Sequence, residues 1–152
     1  MPKKRYDWID EAKRVFSVER PTHFTNYEHC EECNEHDQTL INSTIDGIGL
    51  EELGNPGWDP ICFCSPDGKK YFMPSFVRLS LETIDGDFYF SQLLFHLESD
   101  APEYALALSC NNEQRRFIQS FIEYMILCHP EELTRNSCEC DALRVHAVWS
   151  DA

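Results

Sequence analysis

The sequence predicts a single α+β domain that is mainly α-helical, with about six helices packed around a small β-hairpin. Its 152 residues suit one hydrophobic core, and 42% apolar with 12% aromatic residues are enough to fill that core. Apolar residues recur at helical spacing along most of the chain, whereas residues 61–72 combine alternation with a turn sequence. We therefore expect residues 1–152 to form one domain, with residues 1–5 as a disordered N-terminus.

Two helices are predicted in the first third of the chain. The first spans residues 7–18, because Asp7 suits the N-cap position and apolar residues then recur every three to four positions. The second spans residues 25–42, because Thr25 and Glu28 have the spacing of a capping box.

A β-hairpin is predicted over residues 61–72, after a glycine- and proline-rich segment with a short helix at residues 50–53. Residues 61–64 alternate between apolar side chains and cysteines, as in a strand. Ser-Pro-Asp-Gly at residues 65–68 favours a type I turn, and residues 69–72 form the returning strand. A lone hairpin is only marginally stable in water, so we expect it to pack against the helices.

The remaining helices are predicted in the second half of the chain. Pro74 suits the first turn of a helix over residues 74–82, because its missing N–H is unpaired there in any case. Residues 88–97 and 140–149 have helical apolar spacing. Residues 112–128 give the strongest pattern, a continuous apolar stripe that indicates a core-facing helix.

Charge and hydropathy exclude several classes of partner. The chain has 13 basic and 27 acidic residues, a formal net charge of −14, which opposes non-specific binding to nucleic acids or anionic lipids. No segment reaches the roughly 18 consecutive apolar residues of a membrane span, and the N-terminal residues lack the apolar region of a secretory signal. We therefore expect a cytoplasmic protein with neither a nucleic-acid nor a membrane partner.

The densest chemistry lies in residues 29–36, which contain two cysteines, two histidines and three glutamates. Zinc prefers thiolate and imidazole ligands in a tetrahedral arrangement, so His29, Cys30, Cys33 and His36 are the candidate ligands. Inside the predicted second helix these residues recur one turn apart, which allows several of them to share one ion. Zinc is accordingly the candidate cofactor.

Two other interpretations of this segment stay open. In a redox interpretation Cys30 and Cys33 form a dithiol, but Cys30 is expected inside the helix with acidic neighbours, which raise a thiol's pKa and suppress the thiolate. In a packing interpretation Cys33 and Leu40 face the core, with His29 and His36 at its edge. This last interpretation explains the helical spacing without any ligand.

Several segments of the sequence also resemble those of a known family. They are HCEECNEHD at residues 29–37, LGNPGWDP at residues 53–60, YFMP at residues 71–74, QLLFHL at residues 92–97 and EQRR at residues 113–116. Together they resemble a family of small, uncharacterised bacterial proteins, a domain of unknown function, over about residues 8–150. The resemblance implies a bacterial, cytosolic, single-domain protein and brings no established activity.

The absence of known catalytic motifs favours a binding function. The sequence has no P-loop, no dinucleotide-binding glycine pattern and no Gly-x-Ser-x-Gly nucleophile elbow. We therefore expect a small, acidic, non-enzymatic module that contacts a protein partner, with structural zinc at the Cys/His cluster. The alternative is a metal-dependent, hydrolase-like enzyme that uses the same cluster. A coordination position open to a cleft would separate the two, because structural zinc sites are closed.

Overall fold

Helices make up all the regular structure of residues 4–151, the part of the chain that the computed structural model describes. Within that range there are nine α-helices, two short 3-10 helices and no β-strand. The α-helices are α1 (Arg5–Val15), α2 (Glu31–Ile41), α3 (Leu50–Leu53), α4 (Pro66–Glu82), α5 (Phe90–Glu98), α6 (Ala105–Ser109), α7 (Asn112–Cys128), α8 (Pro130–Arg135) and α9 (Glu139–Asp151). The 3-10 helices are η1 (Pro56–Trp58) and η2 (Pro60–Phe63). Of the residues expected to be disordered, residues 1–3 lie outside the described part, and Arg5 begins α1.

The core forms around two 17-residue helices, α4 and α7. Helix α4 contacts α1, α5 and α6, while α7 contacts α1, α8 and α9. Helix α1 therefore joins the two, and its Trp8 ring packs against Phe117 and Phe121 of α7 at centroid distances of 5.6 and 5.3 Å. Fully burying such an aromatic side chain stabilises the fold by about 1.5–3 kcal/mol.

The predicted β-hairpin over residues 61–72 is wrong, and with it the α+β class. Residues 60–63 form η2, and α4 begins directly after Ser65, whose Oγ accepts a hydrogen bond from the backbone N–H of Gly68 at 3.1 Å. Serine at the N-cap followed by proline at the first helical position is as favourable for a helix start as for a type I turn. The helix prevails because it buries Phe72, whose side chain is fully inaccessible to solvent.

Pro74 does not begin a helix, contrary to prediction. It lies in the interior of α4, eight residues after the first helical residue, Pro66. Proline there removes the N–H that would bond to the carbonyl of Lys70. The helix continues through Pro74 because burial of its apolar face in the core offsets the loss of that hydrogen bond.

The second predicted helix begins later than the proposed capping box. Helix α2 starts at Glu31, with Cys30 as its N-cap. Thr25 contacts α2 from outside: its hydroxyl donates to the carbonyl of Cys33 at 2.7 Å, and its N–H donates to the carboxylate of Asp37 at 3.1 Å. The segment before α2 is therefore an irregular chain anchored on the helix.

Two predicted helices are confirmed with their bounds. Helix α7 has the predicted bounds, and its capping box is present, since Asn111 Oδ1 accepts from the N–H of Gln114 at 2.8 Å. The short helix at Leu50–Leu53 is also present. None of the helices within residues 4–151 combines the length and apolar character needed to cross a bilayer.

Candidate functional site

The first candidate site lies where the chain enters α2. Cys30 has extended backbone angles, and its Sγ accepts a hydrogen bond from the backbone N–H of Cys33 at 3.4 Å. The first N–H groups of a helix have no partner within the helix, so a side chain at the N-cap satisfies one of them. A cysteine performs that role here and is held at the positive end of the helix dipole.

Three candidate ligands converge at this point. The Sγ atoms of Cys30 and Cys33 are 3.3 Å apart, and Nδ1 of His29 lies 3.7 Å from the Cys33 Sγ. All three ligand atoms lie within 4.8 Å of one another. Zinc bonds of about 2.3 Å to sulfur and about 2.0–2.1 Å to nitrogen place tetrahedral ligand atoms about 3.5–3.8 Å apart. The group formed by His29, Cys30 and Cys33, here called the α2 group, can hold a metal ion.

His36, the fourth predicted ligand, is not part of the α2 group. Its ring is buried between aromatic side chains, 4.6 Å from the Trp58 ring and 5.0 Å from the Phe63 ring, measured between centroids. Its Nε2 lies 3.5 Å from a carboxylate oxygen of Glu32. The predicted stripe from His29 to His36 required one continuous helix, and His29 precedes the helix instead.

The two thiols of the α2 group have opposite pKa shifts. The backbone hydrogen bond from Cys33, and next the hydrogen bond with His29, lower the pKa of Cys30. The hydrogen bond with Cys30, and next burial, raise the pKa of Cys33. The expectation that Cys30 lies inside a helix whose acidic neighbours suppress its thiolate is therefore wrong, because Cys30 is at the helix N-cap.

A second group was not predicted from the sequence. Asp59, Cys62 and His96 each offer a ligand atom, and these atoms also lie within 4.8 Å of one another. Asp59 is the N-cap of η2, where its Oδ1 accepts from the N–H of Ile61 at 2.9 Å. Its Oδ2 lies 2.7 Å from Nε2 of His96 and accepts from the side-chain amide of Gln92 at 3.0 Å. We call Asp59, Cys62 and His96 the η2 group.

The η2 group borders a pocket of about 340 Å³. The pocket is lined by Pro56, Asp59, Cys62, Ser91, Gln92, Phe95 and His96. Burial, and next the nearby carboxylate of Asp59, raise the pKa of Cys62. A larger pocket of about 530 Å³, bordered by Tyr104, Arg144 and Val148, has no cysteine or histidine in its lining.

Only the local part of the η2 group, the helix start at Asp59, could be recognised in the sequence. Asp59-Pro60 is a recognisable helix start, with a capping side chain followed by proline. The approach of His96 to Asp59 joins residues 37 positions apart, and no local pattern reports such a contact.

Comparison of the chain with protein-family models, curated proteins and solved structures gives no significant match. The resemblance to a family of small bacterial proteins therefore stays a prediction. Function is inferred from the geometry of the α2 and η2 groups.

Proposed function

We propose that this protein is a zinc-binding interaction module in which His29, Cys30 and Cys33 supply three ligands to one ion. The observation that carries the proposal is the convergence of one imidazole nitrogen and two thiol sulfurs within 4.8 Å. The set matches zinc's preference for nitrogen and sulfur ligands. In this proposal a donor from a partner protein completes the four protein ligands of a structural site, and water holds that position only in the free chain.

The local hydrogen bonds support a bound cation. Zinc binds cysteine as thiolate, and the N–H of Cys33 donates to the Cys30 Sγ in an arrangement that favours the charged sulfur. Glu31 and Glu32 in the first turn of α2 add negative charge close by. The formal net charge of −14 likewise favours cations and opposes nucleic acids.

The proposed role of the zinc is to fix the entry into α2. His29 lies in the irregular segment and Cys33 on the helix, so an ion bound by both ties the two together. Energy of metal binding then becomes folding energy, as in other small metal-stabilised domains. We place the protein in the cytosol, where the eight free cysteines stay reduced.

The test is elemental analysis of protein purified without added metal. The double variant Cys30→Ser/Cys33→Ser is compared with Cys128→Ser/Cys140→Ser, which removes two exposed cysteines outside both groups. We expect the first variant to hold about one zinc fewer per chain than the control and to melt at a lower temperature. Equal zinc content and equal melting temperatures in the two variants would refute the proposal.

Thiol–disulfide exchange is a second candidate function, favoured by the position of Cys30 at a helix N-cap. Exposed Cys30 would attack a substrate disulfide, and buried Cys33, with its Sγ 3.3 Å away, would resolve the mixed disulfide. The products are a Cys30–Cys33 disulfide, with an S–S bond of about 2.05 Å, and a reduced substrate dithiol.

Equilibration with glutathione buffers of increasing oxidised fraction tests this second function. Metal-free protein should lose two hydrogens per chain by mass spectrometry, and peptide mapping should locate the new bond between Cys30 and Cys33. A pair that stays reduced in the most oxidising buffer would exclude exchange and leave zinc binding unaffected.

A further inference from the structure

We infer that Asp59, Cys62 and His96 form a second site for a transition-metal ion such as zinc, with one coordination position open to the adjacent pocket. This site shares no residue with the α2 group and does not depend on the function proposed for it. It adds a site of the kind found in metal-dependent enzymes rather than in structural zinc modules.

The donor set is the first argument. A carboxylate, a thiol and an imidazole meet here with their ligand atoms within 4.8 Å. All three types bind zinc, and catalytic zinc sites use three protein ligands. On binding, the Cys62 thiol releases its proton to solvent and the metal–sulfur bond forms, so the site takes up the ion in exchange for protons.

The support around these donors is the second argument. The side-chain amide of Gln92 donates to Asp59 Oδ2 at 3.0 Å and to the carbonyl of Leu53 at 2.8 Å. The N–H of Ile61 donates to the other carboxylate oxygen. Such outer hydrogen bonds orient ligating carboxylates at known metal sites.

His96 provides the third argument. Its side chain is only 1% exposed, and its Nε2 lies 2.7 Å from Oδ2 of Asp59. An ion between these two atoms replaces the hydrogen that they share, and bonds of about 2.1 Å to each atom place them about 3.4 Å apart. His96 and Asp59 therefore offer neighbouring atoms to one ion.

The pocket decides the type of site. Its volume of about 340 Å³ suits a small molecule, and Phe95 and Pro56 form apolar walls beside the polar groups of Ser91 and Gln92. A structural zinc has four protein ligands, whereas three protein ligands beside a pocket leave a position for water or a small ligand. We assign that position to a small molecule with a metal-binding oxygen or sulfur atom.

Cobalt(II) titration tests this site, because cobalt bound to thiolate gives a charge-transfer absorption. The background is Cys30→Ser/Cys33→Ser, which removes the α2 group. We expect one equivalent of cobalt and a thiolate absorption that persists on adding Cys140→Ser and disappears on adding Cys62→Ser. Absorption that survives Cys62→Ser, or no thiolate absorption in the background itself, would overturn the assignment.

Two further measurements complete the test. Gln92→Leu should weaken cobalt affinity by about 10–100-fold, because it removes a hydrogen bond that orients Asp59. Acetohydroxamate, a small metal-binding probe, should shift the visible cobalt bands if one position is open, and unchanged bands at saturation would exclude an open position. If the background variant fails to fold, zinc content is measured instead, and the full chain should hold about one ion more than Cys62→Ser.

Discussion

The backbone N–H of Phe24 donates to the buried carboxylate of Asp37 at 2.6 Å, across thirteen positions of the sequence. The N–H of Thr25 donates to the same oxygen at 3.1 Å, and Nδ1 of His23 lies 2.7 Å from the other. The carboxylate thus fastens the segment before α2 to the helix. Since His29 and Cys30 follow in the same segment, Asp37 anchors the stretch of chain that carries two of the three proposed zinc ligands.

Asp37→Ala is therefore expected to destabilise the protein by about 3 kcal/mol, because it leaves two buried backbone N–H groups without an acceptor. Asp37→Asn should cost less, since its amide oxygen can still accept. Urea unfolding followed by circular dichroism measures both. Asp67→Ala, at an exposed position, is the matched control, and an Asp37→Ala variant as stable as this control would contradict the prediction.

Ser65→Ala is expected to reduce the free energy of unfolding by about 1 kcal/mol, the usual cost of losing an N-cap side chain. The reason is that Ser65 Oγ accepts from the N–H of Gly68 at the start of α4. Ser65→Asp should retain most of the stability, because aspartate also caps helices well. Equal losses in the two variants would show that capping is not the role of Ser65.

The segment that begins at Ser65 shows why local sequence patterns could not predict the whole fold. Local patterns located α7, α3 and the approximate positions of most other helices, because those signals lie within a few residues of each other. Residues 65–68 suit a turn and a helix start equally well, and the choice is made by burial of Phe72 against distant parts of the chain.

The two candidate sites also differ in how far they could be predicted from the sequence. His29, Cys30 and Cys33 are close in sequence, so their convergence could be predicted. His36 was wrongly included because the helix was predicted to start before His29, whereas it starts at Glu31. The η2 group depends on packing of α5 against η2, and no spacing rule brings His96 to Asp59.

The eight cysteines are expected to separate into two reactivity classes in metal-free protein. The exposed class is Cys30, Cys62, Cys128 and Cys140, and the buried class is Cys33, Cys64, Cys110 and Cys138. Burial raises the pKa of Cys64 to about 12 and that of Cys110 to about 11, so both lack thiolate near neutral pH.

Timed iodoacetamide labelling with peptide mapping distinguishes the classes. Cys64 and Cys110 should be labelled only after unfolding in guanidinium, while Cys128 and Cys140 react in the native protein. Labelling of Cys64 at the rate of Cys140 without denaturant would show that the core around α4 is open in solution.

Burial of the Cys64 thiol makes the free energy of unfolding depend on pH in the alkaline range. Burial raises the pKa of Cys64 from its ordinary value of 9.0 to about 12, so above pH 9 the unfolded chain loses a proton that the folded chain keeps. The stabilising contribution is complete below pH 9 and is lost as the pH rises towards 12. The slope for one thiol is up to about 1.4 kcal/mol per pH unit.

Guanidinium unfolding at a series of pH values between 8 and 11 measures this dependence. Cys64→Ala should flatten the decline by about that slope, whatever its stability at pH 8. Cys140→Ala, at an exposed position, should leave the decline as it is. A Cys64→Ala variant with the full decline would assign the effect to other groups.

Trp58 gives the molecule a built-in optical reporter. Its indole is 46% exposed, whereas Trp8 and Trp149 are buried, so its emission lies at longer wavelength than that of the other two. The ring contacts His36 of α2, and the next residue in the chain is Asp59. Intrinsic fluorescence, without any attached dye, can therefore follow events beside His36 in the middle of α2 and at the pocket beside η2 in the unmodified protein.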